Sequence, residues 1–167
     1  TIAGFTVYDL EISLMEGWNL ISGTTDPIDV NNIGDPGGII IPETFYGFGG
    51  SYENVDILEP GESYWVRTSA AGDVTISSGA ASAKTKIVDA NTLRFNDTQT
   101  LYFGIRVADE FILSYSLPPK PFAGAFDVRF AGDWKIAEEG GNIEVMNNTD
   151  KLSIAYDITI PAGEYMR

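Results

Sequence analysis

The chain has 167 residues, no cysteine and no histidine, and its 24 acidic and 10 basic side chains give a formal net charge of -14. These absences exclude a disulfide framework, a catalytic thiolate, a triad that needs imidazole, and metal centres built on sulfur or imidazole. Because so acidic a surface repels a phosphate backbone, we expect no nucleic-acid partner. The apolar runs are too short to cross a bilayer, so we expect no membrane span.

Short segments of alternating apolar and polar residues predict β-strands along the chain, because a period of two sends successive side chains to opposite faces, one buried and one solvated. The clearest alternation lies at residues 10–14, 101–107, 126–130 and 152–160. Shorter candidates are residues 18–22, 45–48, 64–67, 74–77, 85–88, 93–95 and 143–146. Glycine and proline turn signals separate these segments, and no window favours a long helix, so the sequence predicts an all-β protein.

The chain changes character at a run of small residues. Residues 1–83 carry 12 acidic side chains and one basic one, Arg67, whereas residues 84–167 carry 12 acidic and nine basic side chains. The change falls at residues 77–83, a Ser/Gly/Ala run typical of linkers. We therefore predict a β-domain over 1–78, a linker over 79–83 and a second β-domain over 84–167. Each half is small for a core without cross-links, so we expect the two domains to pack on each other.

Several motifs occur in a fixed order along the two halves. The first half reads GWNLIS at residues 17–22, FYGFGGSY at 45–52 and LEPGESYWV at 58–66, and the second reads LYFG at 101–104, SYSLPP at 114–119 and FDVRF at 126–130. This order resembles tandem β-modules found near the C-terminal end of large secreted bacterial surface proteins, the cargo of type IX secretion. Glu43 and Ser63 stand where the pattern of that family has glycine, and these departures concern local turn geometry.

The resemblance implies an extracellular location at the bacterial cell surface, with other modules of the same polypeptide or like subunits as partners. For the second domain we predict an immunoglobulin-like β-sandwich. A further β-domain that serves as a sorting signal often follows in such proteins. The sequence ends at Arg167, so we expect the second sandwich to be truncated.

The most acidic loop, residues 26–35, is a candidate calcium site. Asp26, Asp29 and Asp35 would supply the oxygen ligands that calcium prefers. The spacing is not that of an EF-hand, because Gly37 stands in the place of the bidentate glutamate. The alternative is that these side chains make turns and cap strands.

The aromatic residues of the first half are candidate ligand-binding residues, above all Trp18, Tyr52 and Trp65. Aromatic platforms stack on sugar rings, because each ring offers an apolar face and a polar edge. The alternative is that these rings fill the core of a small β-domain. Tyr64 and Trp65 are consecutive and point to opposite faces, so we expect one of them at the surface or at a domain interface.

Two other patterns have simpler explanations. The carboxylate pairs Asp109-Glu110 and Glu138-Glu139 are adjacent in the chain, whereas a glycosidase needs carboxylates across a cleft, so we interpret both as solvated surface charge. The proline-rich residues 117–122 predict a stiff crossover between strands rather than a peptide ligand.

We therefore predict a non-catalytic structural or interaction module, with no enzymatic activity, which would self-assemble if it has open strand edges. The alternative function is that of a carbohydrate-binding module, assisted by calcium, with a polysaccharide as its partner.

Overall fold

A computed structural model describes residues 9–77, 90–147 and 149–159. Over these residues the protein consists of β-strands and two short 3₁₀ helices, which confirms the all-β prediction. The chain separates into two compact units, Thr1–Lys84 and Thr85–Arg167. The predicted linker at residues 79–83 and the predicted strand at 85–88 lie outside the described residues.

The first unit is antiparallel throughout its described pairings. Its strands are β1 (Asp9–Leu14), β2 (Gly17–Ser22), β3 (Ile28–Asp29), β4 (Tyr46–Phe48), β5 (Tyr52–Asn54), β6 (Ile57–Leu58), β7 (Ser63–Thr68) and β8 (Gly72–Ser77). They form a four-stranded sheet in the order β2-β7-β4-β5 and two-stranded sheets β1-β8 and β3-β6. A 3₁₀ helix, Val30–Asn32, follows β3. The core is apolar and combines buried side chains of all three sheets with loop residues: Leu14, Ile21, Ile28, Ile39, Phe45, Leu58, Tyr64, Val66, Val74 and Ile76.

The motif LEPGESYWV folds as the connection between β6 and β7. The amide of Glu62 donates to the carbonyl of Glu59 at 3.3 Å, which closes a tight turn. Pro60 fits the first central position of that turn, and Gly61, at φ +81°, takes the left-handed second position that favours glycine. The hydroxyl of Tyr64 then accepts a hydrogen bond from the Glu59 amide at 2.7 Å, so the motif secures its own turn to the core.

The second unit contains a four-stranded sheet and a separate strand pair. Its strands are β9 (Asn91–Phe95), β10 (Gln99–Phe103), β11 (Asp127–Phe130), β12 (Ile136–Ala137), β13 (Ile143–Met146) and β14 (Ile154–Asp157). The sheet has the order β12-β10-β9-β14, and β11 pairs with β13. Since β10 and β12 are parallel, this sheet departs from the antiparallel sheets of an immunoglobulin domain, and the immunoglobulin-like topology is not confirmed.

Three expectations about strand alternation are wrong. The strand predicted over 101–107 ends at Phe103, because Gly104 adopts φ +76° and turns the chain away. The alternation at 126–130 predicted solvated side chains at Asp127 and Arg129, yet every residue of β11 is buried. The alternation at 152–160 predicted one buried face, yet all four residues of β14 are exposed.

Arg129 tolerates burial because each nitrogen of its guanidinium has a hydrogen-bond partner. Its Nε and Nη2 donate to the two carboxylate oxygens of Asp127 at 2.6 and 2.7 Å. Its Nη1 donates to the Pro118 carbonyl and to Asp133 Oδ1, both at 2.8 Å. Burial alone lowers the pKa of Arg129, but its hydrogen bonds to Asp127 and Asp133 and their negative charges raise the pKa above its ordinary value. The ion pair thus holds the proline-rich segment, which was predicted as a stiff crossover, against β11.

Candidate functional site

The four-stranded sheet of the first unit carries large apolar and aromatic side chains on both faces. Residues directly opposite each other on antiparallel strands share a face. The register sets Leu20 and Tyr46 opposite Trp65, Trp18 opposite Arg67, and Phe48 opposite Tyr52, so all of these lie on the face away from Ile21, Tyr64 and Val66 of the core. We call this outer surface the aromatic face and define it by Trp18, Leu20, Tyr46, Phe48, Tyr52 and Trp65.

The rings of the aromatic face contact one another edge to face. Ring centroids are 6.0 Å apart for Trp18 and Tyr46, 6.4 Å for Tyr46 and Tyr52, and 5.3 Å for Phe48 and Tyr52. Tyr46 and Tyr52 are buried, and Trp18 and Trp65 are half-buried. Leu20 and Phe48 are 61% and 38% exposed, so the face presents apolar area to solvent although its rings are already packed together.

Arg67 borders the aromatic face and supplies its positive charge. The guanidinium carbon lies 5.8 Å from the centroid of the Trp18 ring, a cation–π distance. The Nε of Arg67 is buried and has no hydrogen-bond partner among the residues that the structure describes. A buried donor without a partner is uncommon in folded proteins.

The three aromatic residues singled out from sequence, Trp18, Tyr52 and Trp65, lie on this one face. Tyr64, next to Trp65 in the chain, points instead into the core, as the alternation requires. Leu20 and Arg67 were not identified from sequence. The signal that could have found them is the spacing of two residues that relates Leu20 to Trp18 and Arg67 to Trp65.

The three candidate calcium ligands have separate roles within the loop. Asp29 caps the 3₁₀ helix, accepting from the amide and the side chain of Asn31 at 2.9 and 2.7 Å. The Asp35 carboxylate accepts from the amides of Ile39 and Ile40 at 3.0 and 2.8 Å. Asp26 is exposed. Within the described ranges no three acidic side chains are grouped to hold a metal ion, so the calcium site stays a prediction.

The two carboxylate pairs singled out from sequence in the second unit lie at the surface. Glu138 and Glu139 border an open depression that Phe130 and Trp134 also line. Glu138 forms a long ion pair with Arg106, with 3.9 Å between Oε1 and Nε. Both glutamates are exposed, as are Asp109 and Glu110, so these positions have the character of solvated charge.

Comparisons of the chain with protein-family models, with curated proteins and with solved structures find no match. The resemblance to modules of secreted bacterial surface proteins therefore stays a prediction. None of the helices in the described part of the chain is long and apolar enough to span a membrane. A fold alone does not indicate a function, so we take the aromatic face as the candidate functional site.

Proposed function

We propose that the chain is a non-catalytic interaction module of a secreted bacterial cell-surface protein, and that the aromatic face is its contact surface. The aromatic face itself carries the proposal. An antiparallel sheet that faces water on one side normally carries polar residues on that side, whereas six of the ten residues on the outer face of this sheet are apolar or aromatic. Contiguous exposed apolar surface marks interaction sites, and aromatic and arginine side chains concentrate binding energy there. The motif resemblance supports the extracellular location.

The proposed partners are like subunits or other modules of the same polypeptide. Residues 1–83 carry a net charge of -11, so two copies of the first unit repel each other while their aromatic faces attract. Salt screens charges beyond roughly 10 Å at 0.1 M, and it leaves apolar burial intact. Contact between like subunits through this face should therefore strengthen as the salt concentration rises.

Sedimentation velocity over a range of protein and salt concentrations tests this proposal. We expect association that grows with salt, and we expect Leu20→Lys to abolish it because the change places a charge on the aromatic face. Met15→Lys is the matched control, since Met15 is also strongly exposed but lies in the connection between β1 and β2. A native chain that stays monomeric at every salt concentration contradicts contact between like subunits.

Carbohydrate binding is the second candidate, and the half-buried rings of Trp18 and Trp65 beside the half-buried Arg67 side chain favour it. Sugar rings stack on aromatic faces, and their hydroxyl groups accept hydrogen bonds from a guanidinium. Because the unit is acidic, a neutral polysaccharide fits it better than a uronic or sulfated one. Asp26, Asp29 and Asp35 are not grouped as metal ligands in the described part of the chain, so the assistance by calcium that the sequence suggested is tested with a chelator.

A glycan screen with neutral and acidic polysaccharides, run in calcium and in chelator, tests the second candidate. We expect retention of neutral glycans by the native chain and its loss in Trp18→Ala and Trp65→Ala. Phe111→Ala is the control, because Phe111 is exposed in the second unit. If the native chain retains no glycan in either buffer, carbohydrate binding is wrong.

A further inference from the structure

Strand β14 leaves its apolar side chains in solvent. Ile154, Tyr156 and the following Ile158 are 52%, 73% and 54% exposed. These three residues alternate with Ala155 and Asp157, so they form one apolar stripe along one face of the strand. An edge strand with such a stripe calls for a physical explanation, because exposed apolar edges promote association.

The stripe lies on the core-facing side of its sheet. Ile154 pairs with Phe95 and Tyr156 pairs with Leu93 on β9. Phe95 is buried in the core of the second unit, and Leu93 packs against that core. Residues opposite each other on paired strands share a face of the sheet. The face that is covered by the core at β9 is therefore exposed to solvent at β14. The described strand pair β11-β13 therefore does not cover the sheet to its edge.

Within the described part of the chain, one backbone edge of β14 also has no strand beside it. Among the described residues, β14 pairs with β9 alone, and it is the last strand in the sheet order. Its sequence, Ile-Ala-Tyr-Asp, contains one charge and neither lysine nor proline, the residues that commonly protect edges. One kind of occupant satisfies both the backbone groups and the apolar stripe, and that is another β-strand.

We propose that β14 is a self-association edge, at which two copies of this chain pair their β14 strands antiparallel about a two-fold axis. The apolar residues of the stripe are even-numbered, and residues directly opposite each other share a face. The stripes of the two copies therefore lie on the same face only if even-numbered residues of one copy stand opposite even-numbered residues of the other. With Ala155 on the axis, Ile154 of each copy faces Tyr156 of the other, an aromatic–aliphatic pair of the kind that stabilises sheets. In that register Asp157 faces Ser153, which avoids a pair of like charges.

Charge and symmetry allow a second copy as the occupant. Residues 84–167 carry a net charge of -3 against -11 for residues 1–83, so the second units of two copies repel each other less than the first units do. An isologous contact needs a self-complementary patch, and the even register supplies one. The contact lies in a different unit from the aromatic face, so the two proposals succeed or fail separately.

A single introduced thiol tests the register, because the native chain has no cysteine. In Ala155→Cys the two thiols of a dimer face each other across the axis. Directly opposed Cα atoms lie about 4.5 or 5.5 Å apart in antiparallel pairs, and both distances permit a disulfide. We expect Ala155→Cys to form linked dimers in oxidised glutathione at least tenfold faster than Ala123→Cys, which carries its thiol at another exposed alanine of the same unit. Equal rates in the two variants would overturn the proposal.

Sedimentation equilibrium in the Leu20→Lys background isolates this edge from the aromatic face. We expect concentration-dependent dimers that Tyr156→Lys converts to monomers, and little dependence on salt. Tyr156 is strongly exposed, so an unchanged melting midpoint will show that the variant is folded. If the Leu20→Lys chain remains monomeric to the highest concentration, β14 is not the contact. The same follows if dimers persist after Tyr156→Lys is added.

Discussion

Each unit has an arginine that directly follows a buried valine on a strand, but the surroundings of the two arginines differ. Arg67 follows Val66 on β7 and lies on the outer face of its sheet against the Trp18 ring. Arg129 alternates with apolar residues on β11 and lies fully inside its unit, bound to Asp127. The residue before each arginine is the same, so this local sequence does not decide which arginine is buried. The hydrogen-bond partners that the folded chain brings to each guanidinium decide it.

The buried residues of the two units differ in their charge. The first unit buries an apolar cluster and satisfies its loops with exposed or half-buried carboxylates such as Asp35. The second unit has a smaller apolar cluster, and it also buries a charged pair on the face of β11 opposite to Val128 and Phe130. A buried ion pair gives uncertain net stability, but removing one partner leaves an uncompensated charge and is strongly destabilising. The comparison therefore predicts that single changes at the ion pair will have the largest effects.

The largest expected effect comes from Arg129→Met, which leaves the Asp127 carboxylate buried without its cation. We expect a loss of about 3–5 kcal/mol in the free energy of unfolding. Hydrogen exchange should place this loss in β9, β10 and β11, while β2 and β7 keep their protection. The double variant Arg129→Met/Asp127→Leu should recover most of the loss, because it removes the orphaned charge as well.

The control for Arg129→Met is an ion pair at the surface of the same unit. Lys120 and Glu144 are 2.7 Å apart, and both side chains are about half exposed. Lys120→Met should cost less than about 1 kcal/mol, because exposed pairs contribute little. If the two methionine variants lose equal stability, the buried pair has no special role and the contrast between the units disappears.

A smaller effect is expected in the first unit, at Asp35. Its carboxylate accepts from the amides of Ile39 and Ile40, so Asp35→Ala should cost about 1–2 kcal/mol. Because these hydrogen bonds need no metal, the loss should persist in chelator during thermal melting. A calcium site would show itself separately, as a fall in the native melting midpoint on chelation. A loss that occurs only with calcium present would assign Asp35 to the metal instead.

The smallest effect concerns the two positions at which the family pattern has glycine. Glu43 adopts φ +62°, where a side chain is strained, whereas Ser63 lies in β7 and has no such φ. Glu43→Gly should therefore stabilise the first unit by about 0.5–1 kcal/mol, and Ser63→Gly should destabilise it by a similar amount. Urea denaturation of both variants tests this, and a loss of stability in Glu43→Gly would contradict it.

Most longer strands were predictable from sequence because alternation is a local property. The segments predicted at 10–14, 18–22, 64–67 and 143–146 agree with β1, β2, β7 and β13 to within one residue at each end. The two-residue strands β3, β6 and β12 were missed, since only their partners define them. The shared face of Trp18, Tyr52 and Trp65 depends on the register of four strands, which spacing within any one motif does not determine.

The pairing of β1 with β8 has a consequence for how the first unit responds to force. Asp9, at the start of β1, stands directly opposite Ser77, at the end of β8, so tension applied to these two residues pulls the strand pair apart from one end. When it is stretched by those two points, its strands separate like a zipper, one hydrogen bond after another, so the unit should yield at low force.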